Sequence, residues 1–589
     1  MKENNDDSKI PKKRDFLTNE KARLSEFVFD PAREIAFHPY RITNEYLDGS
    51  ESYISEVISS IKNLSSQSNE YNQYIKDWPS RYHLSKNRTT LLEGVQEVLD
   101  KDARVLEIGA RCGAITRWLG ERYAHVDAIE DSEIRAVITR KRTRDLNNVL
   151  VYCGNFLNTS FDRQYDLIIL IGVLEYIPIC AAKYGDGIEA MEVFLKELSA
   201  SLTEKGILLV AIENKLGAKY FSGCSEDHTG NRFEGLIGYP DKTPVTFSRN
   251  EILSIISEAG YPNYKVYHLF PDYKLTETII PEKDEVLSLH PYHWIATPFE
   301  DYFCDRLHLF PDALFLKTVT DAGLIWHFSN SFLILASRTE SVNLNVDWLI
   351  RKYHMNDIRA PIFHHYITLS SIHTPTGIQY VVNRTPIEGG SFYHSNEQFS
   401  FELTCSEYIL GRSLTFDILK ALFKQSPEKE LIRVIMLLHK ELLYQFSTGE
   451  CDEEGYMLVK GEAIDFSFWN VLVGGGNHLI FIDRKWKSKK PIPVDFVIFR
   501  NLFFLFESIK PYIENKDRLL FCSILMRHLF KNYSYERMMT IIHREEEFQQ
   551  WNTGKCIDFI VDLRLNQDFF RKVEIGKLLH DKRRGIKKR

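Results

Sequence analysis

The spacing of apolar residues changes several times along the chain, and each change predicts a different kind of element. From Glu51 to Leu99 apolar residues recur every three or four positions, as at Ile54, Val57 and Ile58, which predicts helix. Between 104 and 212 short apolar runs alternate with helical stretches; the runs are ARVLEIGA, HVDAIE, VLVYCGN, YDLIILIGV and GILLVAIEN. Such runs, separated by helices, are typical of a parallel sheet covered on both faces. This part of the chain therefore predicts a doubly wound α/β fold.

The pattern changes again near residue 340, where we place a domain boundary. The strand-like segments PIFHHYITLS and GIQYVVNRTP come first, and long helical stretches follow 415, which indicates an α+β domain. We therefore predict four parts: a disordered polar leader (1–20), the α/β domain with N-terminal helices and a substrate-side insertion (21–340), the α+β domain (341–581) and a basic tail (582–589).

Composition and charge exclude several classes of protein. The chain has 589 residues with 74 Lys and Arg against 81 Asp and Glu, a net charge of −7, which argues against a nucleic-acid binder. Its longest apolar run, Leu167 to Leu174, is far shorter than the roughly 20 residues that span a bilayer. Nine cysteines without a C-x-x-C pair fit a reducing compartment. We expect a cytoplasmic protein, whose tail KRRGIKKR is either solvated or in contact with an anionic inner-membrane surface.

A glycine turn ends the first predicted strand of the α/β domain. The strand runs into Gly109-Ala110-Arg111-Cys112-Gly113, and a helical stretch follows. Glycines let the backbone approach a ligand at a helix N-terminus, and an acidic residue about 20 positions later can hold ribose hydroxyls. Glu130 stands 21 residues after Gly109. The spacing predicts a nucleotide-binding turn.

Two residues of this turn argue against a dinucleotide. The dinucleotide fingerprint needs glycines near 111 and 114, where this chain has Arg111 and Ala114, and an arginine there obstructs a pyrophosphate. Glu107 also suits a cationic ligand better than a diphosphate. The arrangement Glu107-x-Gly109-x-x-x-Gly113 instead resembles the first motif of class I S-adenosylmethionine-dependent methyltransferases, with the middle glycine as its one departure. A purely structural strand-to-helix corner is the alternative.

The resemblance implies a Rossmann-like methyltransferase domain with S-adenosylmethionine as cofactor. The cofactor contacts that it implies are Glu107, Gly109, Ala110 and Gly113 in the turn, Glu130 at the ribose, and Asn155 with Phe156 at the adenine. The stretch 166–175 resembles the fourth strand and the loop that faces the substrate. These motifs together cover about 104–212.

Two further stretches carry a narrower resemblance. Residues 212–235 and 328–336 look like a group of bacterial methyltransferases that occur with cell-surface polysaccharide assembly. This resemblance covers roughly 80–340. It implies a sugar hydroxyl or a sugar-linked phosphate, on a glycan or a lipid-linked saccharide, as the methyl acceptor.

Methyl transfer to a hydroxyl needs a base that takes the proton. His228 is the predicted base, because it follows Asp227, whose carboxylate can orient it, in a glycine-rich loop after the fifth strand; the alternative is a solvated or capping loop histidine. Tyr82-His83 is a second candidate, and Glu213 and Asn214 are expected to line the acceptor pocket. The sequence shows no convincing set of clustered carboxylates for a metal-dependent reaction.

A second constellation lies near the C-terminus. Asp465 is followed by Asn470 and, after a glycine-rich turn at 474–476 and a short strand, by Asp483. In phosphotransfer the first Asp orients the acceptor hydroxyl, while the Asn and the second Asp hold Mg²⁺ against ATP phosphates. The spacing resembles the catalytic loop of protein-kinase-like phosphotransferases, which implies Mg-ATP as a second cofactor.

The resemblance to kinases has two departures. Ala463 stands where the family has His, and Arg384 stands where a strand lysine contacts the phosphates; arginine is bulkier and differently hydrated. Residues 407–414 resemble the segment that joins two kinase lobes. The order of the two domains resembles that of enzymes that terminate O-antigen chains.

Three hypotheses follow from these observations. The first is a methyltransferase acting on a surface glycan, with a kinase-like module that is degenerate. The second is a bifunctional methyltransferase–kinase that caps a polysaccharide chain. The third is a non-catalytic assembly scaffold that reaches the membrane through its basic tail.

Overall fold

The computed structural model of the protein describes residues 21–41, 47–180, 187–239, 243–356, 358–423, 427–474, 478–513, 518–530 and 533–555. The predicted leader (1–20) and basic tail (582–589) lie outside the described residues, as does part of the glycine-rich turn at 474–476.

The first part of the chain alternates strands and helices. Its strands are β1 (Ala22–Arg23), β2 (Val28–Asp30), β3 (Ile35–Phe37), β4 (Arg104–Ile108), β5 (His125–Glu130), β6 (Val149–Cys153), β7 (Thr159–Ser160), β8 (Tyr165–Ile171), β9 (Leu202–Glu213), β10 (Asn263–Phe270), β11 (Thr278–Pro281) and β12 (Ser331–Ser337). Its helices are α1 (Glu51–Ser60), α2 (Trp78–Leu84), α3 (Thr90–Val95), α4 (Ala114–Gly120), α5 (Glu133–Arg142), α6 (Ile177–Cys180), α7 (Gly187–Ala200), α8 (Ala218–Phe221), α9 (Glu234–Ile237), α10 (Arg249–Glu258), α11 (Asp284–Leu287), α12 (Asp312–Asp321) and α13 (Ile325–Phe328).

The second part begins with strands and ends with helices. Its strands are β13 (Ile350–His354), β14 (His365–Thr374), β15 (Gly377–Pro386), β16 (Tyr393–Ser395), β17 (Phe399–Glu402), β18 (Ser406–Glu407), β19 (Arg412–Ser413), β20 (Ser447–Cys451), β21 (Met457–Val459), β22 (Val471–Val473), β23 (Leu479–Phe481), β24 (Trp486–Ser488) and β25 (Ile492–Pro493). Its helices are α14 (Leu414–Ala421), α15 (Pro427–Phe446), α16 (Val494–Ile509), α17 (Arg518–Leu529) and α18 (Tyr535–Thr553).

One sheet runs through both parts, in the order β18-β15-β14-β13-β11-β10-β12-β9-β8-β4-β5-β6-β3-β2 over the described residues. Strands β6, β5, β4, β8 and β9 are parallel, so the five predicted apolar runs are confirmed as neighbouring strands. Strand β12 is antiparallel to both β9 and β10. The strand order reverses at β4, where open α/β sheets leave a crevice at the carboxyl ends of their strands.

The packing explains the near-continuous apolar strands. Along β8, Ile168 and Leu170 join the core that contains Phe194 and Leu198 of α7, while Leu167 and Ile169 join a separate core on the other face. Because both faces are covered, polar residues have no exposed side to occupy in this strand. The doubly wound α/β prediction is confirmed.

The helical prediction for Glu51 to Leu99 holds only in pieces. Helix α1 buries Ile54, Val57 and Ile58 along one side, as the spacing predicts. Helices α2 and α3 are short, and 3₁₀ turns separate them. In the part of the chain that the structure covers, no helix has the length and apolarity needed to cross a bilayer.

The predicted boundary near residue 340 falls inside a continuous structure. Strand β11 pairs with β13 across it, with Thr278 opposite Lys352 and Ile279 opposite Arg351. One apolar core also contains buried residues from both sides, among them Leu316 and Phe416. The predicted strands β14 and β15 and the long helix α15 are confirmed, but their sheet and core are shared with the preceding part.

This sharing predicts that the chain cannot be divided at 340 without loss of stability. A fragment ending there loses the β11–β13 pairing and exposes apolar core surface. We expect its melting temperature to fall by roughly 10 °C or more, since each kcal/mol is worth about 2–4 °C in a domain of this size. Circular dichroism melts of the fragment and the full chain test this. Equal melting temperatures would show that 1–340 is an independent domain.

Candidate functional site

The turn after β4 is held tightly against the neighbouring strand. The N–H groups of Gly109 and Ala110 donate to the carbonyl of Ile129 at 2.9 and 3.2 Å. Gly109 and Gly113 have φ values of +82° and +75°, and a Cβ on Gly113 would lie 2.9 Å from the Cα of Thr139. The turn therefore requires glycine at 113 for both its backbone conformation and its close packing.

Two carboxylates flank this turn, and both are buried. Glu130 accepts hydrogen bonds from the N–H of Arg111 at 2.6 Å and of Ser132 at 3.1 Å. Burial raises the pKa of Glu130. Glu107 accepts the hydroxyl hydrogen of Thr116 at 2.6 Å, and burial raises its pKa to about 7.

The predicted adenine residues lie at the next loop along the same edge. The N–H of Gly154, just before Asn155, donates to the carbonyl of Glu130 at 3.0 Å, so the loops after β5 and β6 are adjacent. Asn155 donates to Asp131 at 3.2 Å, and its side-chain carbonyl accepts from the N–H of Leu157 at 2.9 Å. Phe156 packs at 5.5 Å, centroid to centroid, from the ring of Phe194. The predicted cofactor residues thus follow one another along the carboxyl edge of the sheet.

The side chain of Arg111 occupies space beside the turn. Its guanidinium donates to the carbonyl of Gly172 at 3.3 Å and lies 5.6 Å from the ring centre of Tyr82. Tyr82, Arg88 and Arg111 line a cavity of only about 20 Å³ beside Glu107, which has room for a water molecule. These side chains must move aside before a larger ligand reaches the turn.

His83, the second candidate base, is tied into the protein interior. It is fully buried, lies 3.0 Å from Asp48, and its carbonyl accepts from Arg142 at 2.7 Å. Burial lowers the pKa of His83, outweighing the carboxylate of Asp48. These contacts point to a structural role.

Three residues meet where β8 and β9 end, although no sequence spacing relates them. Glu175 follows β8, Glu213 ends β9 and His228 lies in the loop beyond; one ligand atom from each lies within 4.8 Å of the others. His228 Nε2 is 3.5 Å from a Glu213 oxygen, and the hydroxyl of Tyr176 is 3.4 Å from Nδ1. The expectation that clustered carboxylates are missing is therefore wrong, because loops distant in sequence bring them together.

The carboxylate of Glu175 differs from the rest of this cluster in its hydrogen bonding. Glu175 is fully buried, and neither of its oxygens has a hydrogen-bond partner; one oxygen of Glu213 and Nε2 of His228 also lack one. Burial raises the pKa of Glu175, and the charges of His228, Lys274 and Arg111 offset this only in part. The cluster thus holds unsatisfied polar atoms that point to an interaction partner.

A buried ion network surrounds the cluster. Lys274 contacts Glu213 and, at 3.0 Å, Asp227, while Lys219 contacts Asp227 and, at 3.3 Å, Asp272. Burial lowers the pKa of Lys274. Burial also acts to lower the pKa of Lys219, but the carboxylates of Asp227 and Asp272 raise that pKa above its usual range.

Two sequence expectations for this region need correction. Asp227 was expected to orient the neighbouring His228, but its carboxylate contacts the two lysines and accepts from Tyr220 at 3.1 Å. Asn214 was expected at the acceptor pocket, but it is fully buried and donates to the carbonyls of His327 and Ser329 at 2.8 and 2.7 Å. It fixes the loop before β12.

The second constellation borders a cavity of about 690 Å³. The cavity wall includes Asn470 and Asp483, the predicted metal ligands, together with Arg384 and the segment 407–409. Arg384 donates to Asp483 at 3.0 Å. Burial alone would raise the pKa of Asp483, but Lys485 and Arg384 lower it below its usual range.

Asp465 has backbone partners in this structure. Its carboxylate accepts from the N–H groups of Lys485 at 2.6 Å and Trp486 at 3.1 Å, and its carbonyl accepts from Asn470 at 3.1 Å. Burial raises the pKa of Asp465 to about 7, with Lys485 opposing. These bonds hold the loop at 465–470 against the segment that follows Asp483.

Sequence reasoning missed several basic residues of this cavity. Lys352 and His354 of β13 line it, as does Lys485. Burial lowers the pKa of Lys352. Strand β13 is Ile350-Arg351-Lys352-Tyr353-His354, and the sequence signal was its run of basic residues.

Comparison with known proteins bears on the first site. Residues 106–210 match the methyltransferase domain family. The chain is 26% identical over 128 residues to "Probable (S)-tetrahydroprotoberberine N-methyltransferase 2" of Papaver bracteatum, covering 21% of this chain and 33% of that one. It is 24% identical over 202 residues to an uncharacterised methyltransferase of Staphylococcus carnosus strain TM300, covering 32% and 90%. The chain thus spans about a third of the length of the first of these relatives.

One solved structure is also among the similar proteins. The N-methyltransferase NodS from Bradyrhizobium japonicum WM9, in complex with S-adenosyl-L-homocysteine, is 16% identical with a TM-score of 0.21, over 28% of this chain and 75% of that one. The family match confirms the predicted methyltransferase domain. The matched residues 106–210 include Glu107, Gly109, Glu130, Asn155 and Glu175.

The buried carboxyl of Glu107 predicts a pH-dependent stability. Its pKa is about 7 in the folded chain against an ordinary 4.5, so between these values the folded state holds a proton that the unfolded state has lost. Stability from this group therefore falls as pH rises from 4.5 to 7. As pH rises from 5 to 8, the free energy of unfolding of Glu107→Gln should increase by a few kcal/mol relative to that of wild type, roughly 1.4 kcal/mol for each pKa unit. Urea unfolding at both pH values measures this, and a difference that does not change with pH contradicts it.

Proposed function

We propose that the chain is an S-adenosylmethionine-dependent O-methyltransferase whose acceptor is a hydroxyl of a bacterial surface glycan or its lipid-linked precursor. The observation that carries the proposal is the alignment of Gly109, Glu130 and Asn155 along one sheet edge, next to the half-buried His228. The family match supports the methyl transfer. The glycan acceptor is supported by the resemblance of 212–235 and 328–336 alone.

The residues of the turn fit the proposed cofactor. Each oxygen of Glu130 accepts one backbone hydrogen bond and keeps a second acceptor site, so the pair can also accept two ribose hydroxyls. In their ionised forms Glu107 and Glu130 place negative charge beside the turn, which suits a sulfonium cation. S-adenosylmethionine supplies an electrophilic methyl group when it is bound.

His228 is placed to take the acceptor proton. Its Nε2 has no hydrogen-bond partner, and it faces the carboxylate of Glu213 at 3.5 Å. In the proposed step the acceptor oxygen bonds to the methyl carbon as the sulfur–carbon bond breaks, and the hydroxyl proton passes to Nε2. Glu213 would then stabilise the imidazolium.

Two variants test the methyltransferase proposal. Glu130→Gln should weaken S-adenosylhomocysteine binding by roughly 10- to 100-fold, since a hydrogen bond to a charged group is worth about 1.5–3 kcal/mol. His228→Ala should bind it as wild type does but transfer methyl label to glycan at least about 100-fold more slowly. Calorimetry and a labelled-methyl assay measure the two effects.

The matched control is Glu133→Gln, a partly exposed carboxylate just after the β5 turn that pairs with Arg33. It should leave cofactor binding unchanged. Equal binding by Glu130→Gln and wild type contradicts the cofactor assignment. Cofactor binding without transfer to any saccharide favours the scaffold alternative.

A specific observation favours a second function, which we propose alongside the first: binding of Mg-ATP in the 690 Å³ cavity. Asn470 and Asp483 on its wall are suited to hold a divalent cation, and Lys352, Arg384 and Lys485 to hold phosphates. The Arg384–Asp483 pair has to open for a metal to bind Asp483. Bound nucleotide is compatible with a degenerate module or with an active kinase that caps the glycan.

Calorimetric titration of the intact chain with Mg-ATP tests this second function. Asp483→Asn should weaken binding at least about tenfold, because it removes a charged metal ligand. The control is Asp417→Asn, whose carboxylate pairs with Arg412 outside the cavity wall. Wild type that binds no nucleotide contradicts the proposal and leaves 341–581 as a recognition module for the acceptor.

A further inference from the structure

We propose that Glu175, Glu213 and His228 bind one divalent cation on the acceptor side of the methyltransferase domain. The three residues supply two carboxylate oxygens and one imidazole nitrogen within 4.8 Å of one another. Ligands that each lie roughly 2.0–2.2 Å from a common ion are at most about 4.4 Å apart, so a small adjustment of the side chains brings these three atoms onto one ion. The inference concerns metal binding, and only its catalytic consequence rests on the proposed function.

The unsatisfied atoms are the independent observation that points to a ligand. Glu175 is fully buried with two oxygens that lack hydrogen-bond partners. Glu213 gives one oxygen to Lys274, and the oxygen without a partner is the one that faces His228. Buried polar atoms normally have a hydrogen-bond or metal partner, so these unpartnered oxygens point to a ligand.

Buried charges of both signs surround the three residues. Lys219 and Lys274 contact Glu213, Asp227 and Asp272. Arg88 donates to the carbonyl of Lys274, and Arg111 donates to the carbonyl of Gly172. The oxygens of Glu175 accept from none of these groups, so a divalent ion between Glu175 and Glu213 would pair the carboxylate that the network leaves out.

The ligand set narrows the kind of ion. The two carboxylates suit Mn²⁺ or Mg²⁺ and the imidazole suits Zn²⁺, whereas Cu(I) and iron–sulfur clusters prefer thiolate or thioether donors, which this ligand set does not include. Three protein ligands leave coordination positions open for substrate oxygen. A pair of neighbouring hydroxyls, as in a saccharide, is a suitable bidentate ligand.

A bound cation would change the role of His228. Its Nε2 would hold the ion instead of a proton, and the ion would lower the pKa of the hydroxyl that coordinates it. The hydroxyl would lose its proton to solvent, and the resulting alkoxide would attack the methyl carbon as the sulfur–carbon bond breaks. His228→Ala slows transfer under either role, so metal binding decides between them.

Manganese titration of the full chain tests the site directly. The metal-stripped Asp483→Asn protein is used, so that the second cavity does not contribute, and free Mn²⁺ is followed by its paramagnetic resonance signal. We expect one bound ion, and a binding constant at least about tenfold weaker in Glu175→Gln, which keeps the side-chain shape. His228→Ala, as a second variant, should show a similar loss.

The matched control is Glu234→Gln, a buried carboxylate of the same region that accepts from Asn231 at 2.9 Å. It should bind Mn²⁺ as the parent does, and thermal melts confirm that each variant is folded. Absence of Mn²⁺ binding at millimolar concentration, or equal binding in all variants, overturns the proposed site.

The outcome is separable from that of the proposed function. Methyl transfer that persists in EDTA, from a chain that binds no Mn²⁺, overturns the cation site and leaves the methyltransferase proposal standing. Mn²⁺ binding that Glu175→Gln weakens, in a chain that binds no S-adenosylhomocysteine, supports the cation site and overturns the methyltransferase proposal.

Discussion

The pairing of β12 between β9 and β10 is the constraint on which the acceptor side depends. β12 is antiparallel to both neighbours over Ser331–Ser337, so β9 and β10 run in the same direction and end at the same edge. Glu213 is the last residue of β9, and the loop after β10 carries Asp272 and Lys274. Residues about 60 positions apart in sequence therefore meet in one buried network. Without β12, Lys274 and Glu213 would not be brought into contact.

This network carries an electrostatic cost that the fold balances locally. The ammonium of Lys219 has two carboxylate partners, and Lys274 has two more contacts of the same kind. Removing one member of such a set leaves an uncompensated buried charge, which is more costly than the pair itself is favourable. Glu175 is the member without an ammonium contact among these pairs. Glu175 lies just after β8, next to the glycine turn. Buried polar atoms without hydrogen-bond partners, such as its two oxygens, are often kept at functional sites.

The sequence predicted elements well where a local signal exists. The apolar runs predicted β4, β5, β6, β8 and β9, and the spacing of Gly109 and Glu130 predicted two neighbouring loops, because each depends on periodicity or on one strand–helix unit. Sequence analysis placed 166–175, Glu213 and His228 on the acceptor side, but no signal predicted that Glu175, Glu213 and His228 form one cluster, since they come from separate segments that meet only through the strand order. The prediction for Asn214 was wrong for a related reason. An Asn at the end of a strand is a common functional residue, but here its amide donates to the carbonyls of His327 and Ser329. The boundary at 340 followed a real change of pattern, yet hydrogen bonding between strands is invisible to periodicity.

The shared sheet has a consequence for the two candidate sites. Thr278 and Ile279 of β11 pair with Lys352 and Arg351 of β13, and Lys352 lines the cavity that also contains Asp483. The strands that lead from the acceptor-side network to the second cavity are therefore continuous, without an intervening linker. A flexible tether would let two modules act on separate molecules, whereas strands of one sheet fix the distance and orientation between them. Under the two proposed functions, an extended acceptor bound at one site would present a defined segment to the other, because the sheet fixes their spacing.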